Sequence, residues 1–292
     1  MTSSILVTGG TGKTGSRVVK QLHANGLAPS VGTRSPQNKN DVRFDWSDPS
    51  TFTDAFEGVR AVYLVAPTDT VDSLGAMQPG LEAALAEGVQ RFVLLSASSL
   101  DEGGPMMGAV HAWFRSNALE WAVLRPTWFM QNLSELHHRD PIRDESAIYT
   151  ATDDGRVGFI DAGDIAACAT TLLVTPSIKN TDYILTGPEA ISYDVVAEAL
   201  SSQLGRQIIH HPLTVEELVE RHQSLGLPEE YAKTLATMDG AIAGGSEDRV
   251  TNNVLKLTGS LPTSIDQFVQ QNLEAWKQSK DIKMRVAESE NM

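Results

Sequence analysis

The chain has 292 residues, 41% hydrophobic content and a formal net charge of −14. No apolar run reaches the ~18 residues that a membrane-spanning helix needs, and no basic patch is richer than residues 277–285, so membrane spanning and nucleic-acid binding are both disfavoured. The acidic balance also disfavours polyanionic substrates and leans mildly towards cationic ones, while a single cysteine, Cys168, rules out an intrachain disulfide.

The chain begins a strand within a few residues, with no basic, apolar leader, which predicts a cytoplasmic protein without a signal peptide. Ile5–Thr8 reads as that strand, followed by the glycine cluster Gly9–Gly15 and a helix over Lys13–Asn25. Strands follow at Pro29–Thr33 and Val42–Phe44, with Asp45 at the end of the second. Asp48, Pro49 and Ser50 start a short helix that ends at Glu57-Gly58. Ala61–Val65 is continuously apolar, the pattern of a strand buried on both faces. Asp72–Glu87 is a helix stopped by Gly88. Arg91–Leu95 is a strand, Gly108–Asn117 a helix and Trp121–Leu124 another strand. In the second half, Phe159–Asp161 reads as a short strand and Asp164 as the cap of a helix over Ile165–Val174. Asp182–Leu185 returns to the sheet. Helices are expected over Ser192–Leu204, Thr214–Ser224 (with a capping box, Thr214 and Glu217), Glu229–Ala243, Asp248–Leu257 and Pro262–Gln278, with a strand at Ile208–His211. The polar residues 279–292 read as a frayed tail.

Alternating strands and helices with short links define an α/β fold, a doubly wound parallel sheet of Rossmann type. The expected division is a nucleotide-binding domain over residues 1–191 and a smaller, mainly helical lobe over 192–278. Ligands of such sheets bind outside the carboxyl ends of the strands. Those ends carry Gly9–Gly12, Arg34, Asp45, Ala66-Pro67, Ser96-Ala97 and Pro126–Phe129.

The glycines fit two spacings, Gly10-x-Gly12-x-x-Gly15 and Gly9-x-x-Gly12-x-x-Gly15. A dinucleotide fingerprint needs glycine for a tight turn, for backbone approach to a pyrophosphate and for helix–strand packing. Gly9, Gly10, Thr11, Gly12, Lys13, Thr14 and Gly15 are therefore the expected pyrophosphate loop, with the helix dipole behind it. Arg34 lies about 20 residues further on, where NAD-binding chains place an acidic residue. Arginine there suits the 2′-phosphate of NADP; an ordinary solvated arginine is the plain alternative. Asp45, Ala66, Pro67 and Ser96 complete the expected cofactor contacts.

Short-chain reductases commonly protonate a nascent alkoxide with a Tyr-x-x-x-Lys pair. None of the five tyrosines here has lysine four residues later, and the helix that should carry the pair offers His111 instead. His111 is the candidate acid, base or steering group, or else a helix-face histidine bonded to backbone. Asp101 and Glu102, at the crevice mouth, are candidates to hold a cation. Trp128 and Phe129 are candidates for an aromatic wall beside the nicotinamide, or else core packing. His137-His138 and His210-His211 lack partners at ligand spacing, so no metal is expected.

Several stretches together resemble the NmrA-like, atypical short-chain reductases, and among them the festuclavine/agroclavine dehydrogenases of ergot alkaloid biosynthesis. They are Gly12–Gly15, Tyr63–Pro67, Arg91–Ser99, Gly104–His111, Glu120–Phe129, Thr186–Glu189 and Leu204–Arg206. The likeness spans roughly Ile5–Phe268. It implies NADPH-dependent reduction of an iminium in an alkaloid-like small molecule, a substrate that already carries charge and needs no proton. Two other activities fit the same features: a redox-assisted cyclase, and a non-catalytic sensor of the NADP redox state.

Overall fold

The computed structural model describes residues 4–278; the expected tail at 279–292 lies outside them. In chain order the elements are β1 (Ile5–Thr8), α1 (Gly15–Ala24), β2 (Ser30–Thr33), β3 (Asp41–Arg43), α2 (Phe52–Phe56), β4 (Ala61–Leu64), α3 (Ser73–Ala86), β5 (Arg91–Leu95), α4 (Met107–Asn117), β6 (Glu120–Pro126), α5 (Gln131–Ser134), β7 (Ala147–Thr150), α6 (Ala162–Val174), β8 (Thr181–Leu185), α7 (Tyr193–Leu204), β9 (Ile209–Pro212), α8 (Val215–Ser224), α9 (Glu229–Ala243), α10 (Asn253–Thr258) and α11 (Ile265–Gln271).

These elements form two compact units. The first comprises the described residues up to Thr127 together with Ala162–Leu185 and Thr251–Leu261. The second comprises Trp128–Asp161, Thr186–Val250 and the described residues from Pro262 on. The sequence pattern suggests one boundary at residue 191, whereas the chain crosses between the units several times.

The first unit is a seven-stranded parallel sheet in the order β3-β2-β1-β4-β5-β6-β8. Every residue of β1 and β4 is buried, as strands covered by helices on both faces must be. On one face Leu6, Val62, Leu64, Phe92, Leu94 and Val123 meet Phe52, Phe56, Met77, Leu81, Val110 and Phe114 from α2, α3 and α4. The strand order reverses between β1 and β4, so the loops leaving these strands diverge and open the ligand crevice of a doubly wound sheet. Asp72 starts α3 by accepting the Gly75 N–H at 2.9 Å.

The second unit pairs β7 with β9 in a two-stranded parallel sheet. Its core holds Phe159, Tyr193, Leu200, Phe268 and Trp276. The capping box on α8 is formed as expected, and α7 ends at Gly205 with φ +65°.

Four local expectations change. Phe159–Asp161 is not a strand: only an isolated parallel bridge joins Phe129 and Ile160 before α6 begins. Asp164 lies inside the first turn of α6, which begins earlier than expected, at Ala162. The helix expected over 248–257 shortens to α10, because Thr251 Oγ1 and Asn253 Nδ2 both donate to the Ile184 carbonyl and hold that entry on β8. The helix expected over 262–278 begins only at Ile265, where Ser264 and Gln267 form a capping box, and ends at Gln271. Strand β7 carries no local signal of its own, since its partner β9 arrives only after α6, β8 and α7.

Candidate cofactor and substrate site

The glycine turn separates the two spacings by geometry. Gly9 adopts φ +58°, the left-handed conformation a tight turn demands. A Cβ at residue 15 would sit 2.2 Å from the Gly9 carbonyl oxygen, so Gly15 is what lets α1 approach β1. A Cβ at residue 12 would meet only the Gly9 carbonyl, at 3.1 Å, which leaves the backbone there approachable. Gly9, Gly12 and Gly15 thus divide the three fingerprint tasks. Gly10 meets a further limit, with Val31 Cγ1 2.6 Å from its virtual Cβ. Thr14 makes no side-chain cap, and the first turn of α1 holds no acidic residue. The positive end of that ten-residue helix is therefore compatible with an anion, and the cradle fits a dinucleotide pyrophosphate.

Residues not singled out by the sequence brace this turn. Thr8 Oγ1 donates to the Tyr63 carbonyl at 3.1 Å and accepts the Val65 N–H at 2.9 Å, fixing the split between β1 and β4. Trp46 Nε1 donates to the Val65 carbonyl at 2.9 Å. Ala66 and Pro67 continue from this braced end. A polar residue at a buried strand end and an indole three residues past β3 were the available signals.

Arg34 is exposed at the end of β2. Asp45 lies near enough to feel its charge; the Asp45 carboxyl is held below its ordinary pKa chiefly by the Ser47 backbone N–H and hydroxyl, with Arg34 and Arg43 helping. Ser96 is buried at the end of β5, and its hydroxyl has no hydrogen-bond partner among the described residues.

The loop after Ser96 is organised by Arg125, which the sequence reading passed over. Its guanidinium donates to the Ser98 carbonyl at 2.8 Å, to Asp101 Oδ1 at 2.5 Å and to Asp182 Oδ2 at 2.8 Å. Glu102 is paired with Arg115 at 2.5 Å. Asp101 and Glu102 are thus occupied by arginines, and neither is a free carboxylate awaiting a cation. His111 is 2% exposed. Its ring packs edge-on against Trp121 at 5.2 Å, and its Nε2 stands 3.9 Å from Glu102. Burial lowers its pKa, opposed by Glu102 and Asp182. The helix thus turns His111 towards the core, with its Nδ1 buried and without a hydrogen-bond partner among the described residues.

Trp128 and Phe129 open the second unit. Trp128 packs against that unit's core, while its indole N–H is buried without a hydrogen-bond partner. Phe129 bridges to Ile160. Among the described residues, no group of three His, Cys, Asp or Glu could hold a metal. A cleft of about 390 Å³ lies at the other end of the sheet, lined by Ser4, Arg60, Arg91 and Glu120, where strands begin. It is remote from the glycine turn, and the Arg91 and Glu120 side chains there bond to each other.

Sheet order and glycine turn together define a dinucleotide-binding α/β protein. A family model described as NAD(P)H-binding matches residues 9–176, and the chain belongs to this NAD(P)H-binding family of oxidoreductases. It is 40% identical to the oxidoreductase YesF of Bacillus subtilis, over 93% of this chain and 96% of the relative. It is 38% identical to the agroclavine dehydrogenase of Claviceps fusiformis, over 94% of this chain and 98% of the relative. The crystal structure of Citrobacter triphenylmethane reductase with NADP(H) has the same fold, with a TM-score of 0.80 at 23% identity over 92% and 99% of the two chains.

Proposed function

We propose that the protein is an NADPH-dependent reductase of a carbon–nitrogen double bond, acting on an iminium in an alkaloid-like small molecule. The observation that carries this reading is the state of α4: it has no Tyr-x-x-x-Lys pair, and its one histidine is buried against Trp121. A carbonyl acceptor needs a proton as it gains a hydride. An iminium carbon accepts the hydride and leaves a neutral amine, with no proton to place. The similarity to an agroclavine dehydrogenase supports the same class.

In this reading the nicotinamide, when bound, supplies the hydride. The Gly9–Gly15 loop holds the pyrophosphate at the start of α1, Arg34 pairs with the 2′-phosphate, and Asp45, Ala66, Pro67 and Ser96 border the rest of the cofactor. Arg125 keeps the Ser96–Asp101 loop in place through two carboxylates and a carbonyl. The protein's contribution is positioning, whose worth for well-oriented reactants reaches about 7–11 kcal/mol. The free thiol of Cys168, buried and with its pKa pushed up to about 12, suits a reducing cytoplasm.

The test is NADPH oxidation with a panel of amine–aldehyde condensates and stable iminium salts, with the products identified. Deuterium transfer from labelled NADPH onto the former iminium carbon is the expected result. A ring-closed product without deuterium would indicate the redox-assisted cyclase. Tight NADPH binding with no oxidation by any iminium would indicate a redox sensor.

A further inference from the structure

The segment between β5 and α4 carries a backbone conformation that its residue type resists. Met106 has φ +52° and ψ −125°. These are the angles of the first central position of a type II′ turn, and the Gly108 N–H closes that turn on the Pro105 carbonyl at 3.0 Å. Glycine takes such a position freely, whereas a side chain there strains the backbone. The stretch has glycine at Gly103, Gly104 and Gly108, yet keeps a long apolar side chain at the strained site. Strain of this kind persists only where the surroundings impose it, and it concentrates at active sites and ligand clamps.

The surroundings impose it from both sides. Asp101 is fixed by the Arg125 guanidinium at 2.5 Å, and its carbonyl accepts the Gly104 N–H at 3.0 Å. A Cβ at residue 108 would sit 2.3 Å from that same carbonyl, so the chain closes tightly there. The Gly103 N–H bonds to the Gly108 carbonyl at 2.8 Å, and Glu102 is paired with Arg115 on α4. Met107 is committed to the core: it packs on the cluster that α2, α3 and α4 form over the sheet, and its sulfur accepts the Ser73 hydroxyl at 3.6 Å. Ser73 opens α3, so the start of α4 lies against the start of the helix that follows β4. Both starts stand at the carboxyl ends of the strands, one strand from the split between β1 and β4 where the crevice opens. The fold thus fixes the Met106 backbone beside the crevice and leaves the residue only half-buried.

We propose that Met106 is a specificity-determining residue: its thioether lines the crevice and packs on the apolar ring system of the substrate, and the strained turn holds it there. That the ligand is a ring-bearing iminium rests on the function proposed above. An unbranched, polarizable methionine adapts to a ring face. Glycine in its place would relieve the turn and leave the ring without that wall.

Two truncations separate the backbone from the side chain. Met106→Ala and Met106→Gly both remove the thioether, but only glycine relieves the turn. A glycine variant ordinarily melts below its alanine counterpart; here Met106→Gly should melt above Met106→Ala, by about 2–4 °C. Substrate contact is read by calorimetry on the NADP⁺-loaded protein with two iminium salts, the bicyclic N-methyl-dihydroisoquinolinium and the monocyclic N-methylpyrrolinium. Wild type should prefer the bicycle by at least about tenfold. Both truncations should lose most of that preference, Met106→Leu should keep it through its similar volume, and NADP⁺ affinity should hold in all three. A preference unchanged in Met106→Ala, no such preference in wild type (binding of neither salt included), or an alanine variant that melts as high as the glycine variant would each overturn the proposal. Because binding is read without turnover, Met106-dependent binding of the bicycle with no NADPH oxidation would sink the proposed reaction alone. Turnover of both salts with an unchanged ratio of KM values in Met106→Ala would sink only the role of Met106.

Discussion

At the scale of single residues, the cofactor preference turns on Arg34 and the question of proton transfer on His111. Arg34 is an exposed guanidinium at a strand end, with Asp45 close by and held ionised by Ser47. Arg34→Ala should raise the KM for NADPH by roughly tenfold to a hundredfold, the worth of a charged hydrogen-bonding group, while leaving NADH nearly unchanged. An equal loss for both cofactors would remove Arg34 from the 2′-phosphate. His111 faces the core, so His111→Ala should cost about 1–3 kcal/mol of folding stability through the lost packing on Trp121. In the same variant, the single-turnover rate of NADPH oxidation should fall by less than about tenfold, below the 10²–10⁴ typical of general acid–base help. A larger loss, with a shifted pH profile across roughly pH 5–9, would return His111 to proton transfer.

At the scale of elements, the second unit carries a pH liability that its helices and loops create jointly. His138, His210 and His222 are all buried, and burial depresses each pKa below 6.5, most strongly for His138. Such groups are neutral when folded but bind a proton near pH 6.5 when unfolded. The unfolded chain therefore holds more protons below that pH, so stability is complete above about 6.5 and is lost as pH falls from there. Asp239, with its raised pKa, works in the opposite sense between 3.8 and about 6 and offsets part of the loss. The urea midpoint should be lower at pH ~5 than at pH ~7.5, and His138→Gln should narrow that gap; an equal gap in the variant would exonerate His138. These elements also show what the sequence could and could not disclose. Helix α8, with its capping signal, was legible because Thr214, Glu217 and the apolar spacing act locally. Strand β7 and the Arg125 network were not, because Ala147–Thr150 pairs with distant β9 and Arg125 meets Asp101 and Asp182 only across the finished sheet. The glycine turn was legible as a turn because Gly9, Gly12 and Gly15 lie within a few residues of one another, but only the folded turn separates the two glycine spacings. The orientation of His111 was not legible for a related reason: helical position places it on α4, but only packing decides that it faces Trp121.

At the scale of the whole molecule, the net charge of −14 acts on both ligands of the proposed reaction and in opposite senses. An acidic body repels anionic NADPH during approach and attracts a cationic iminium. Added salt screens both effects, over a Debye length that shrinks from ~30 Å at 0.01 M to ~10 Å at 0.1 M. The two Michaelis constants should therefore diverge across that range: KM falling for NADPH and rising for the iminium, each by a few-fold. If Arg34 pairs with the 2′-phosphate as proposed, it acts at short range, where salt matters less, so Arg34→Ala should leave the long-range trend intact while raising the NADPH KM throughout. Steady-state kinetics at fixed pH, with each substrate varied in turn, measure both trends. Movement of the two constants in the same direction would mean that salt acts on the fold or on turnover, and that the surface charge does not sort the ligands.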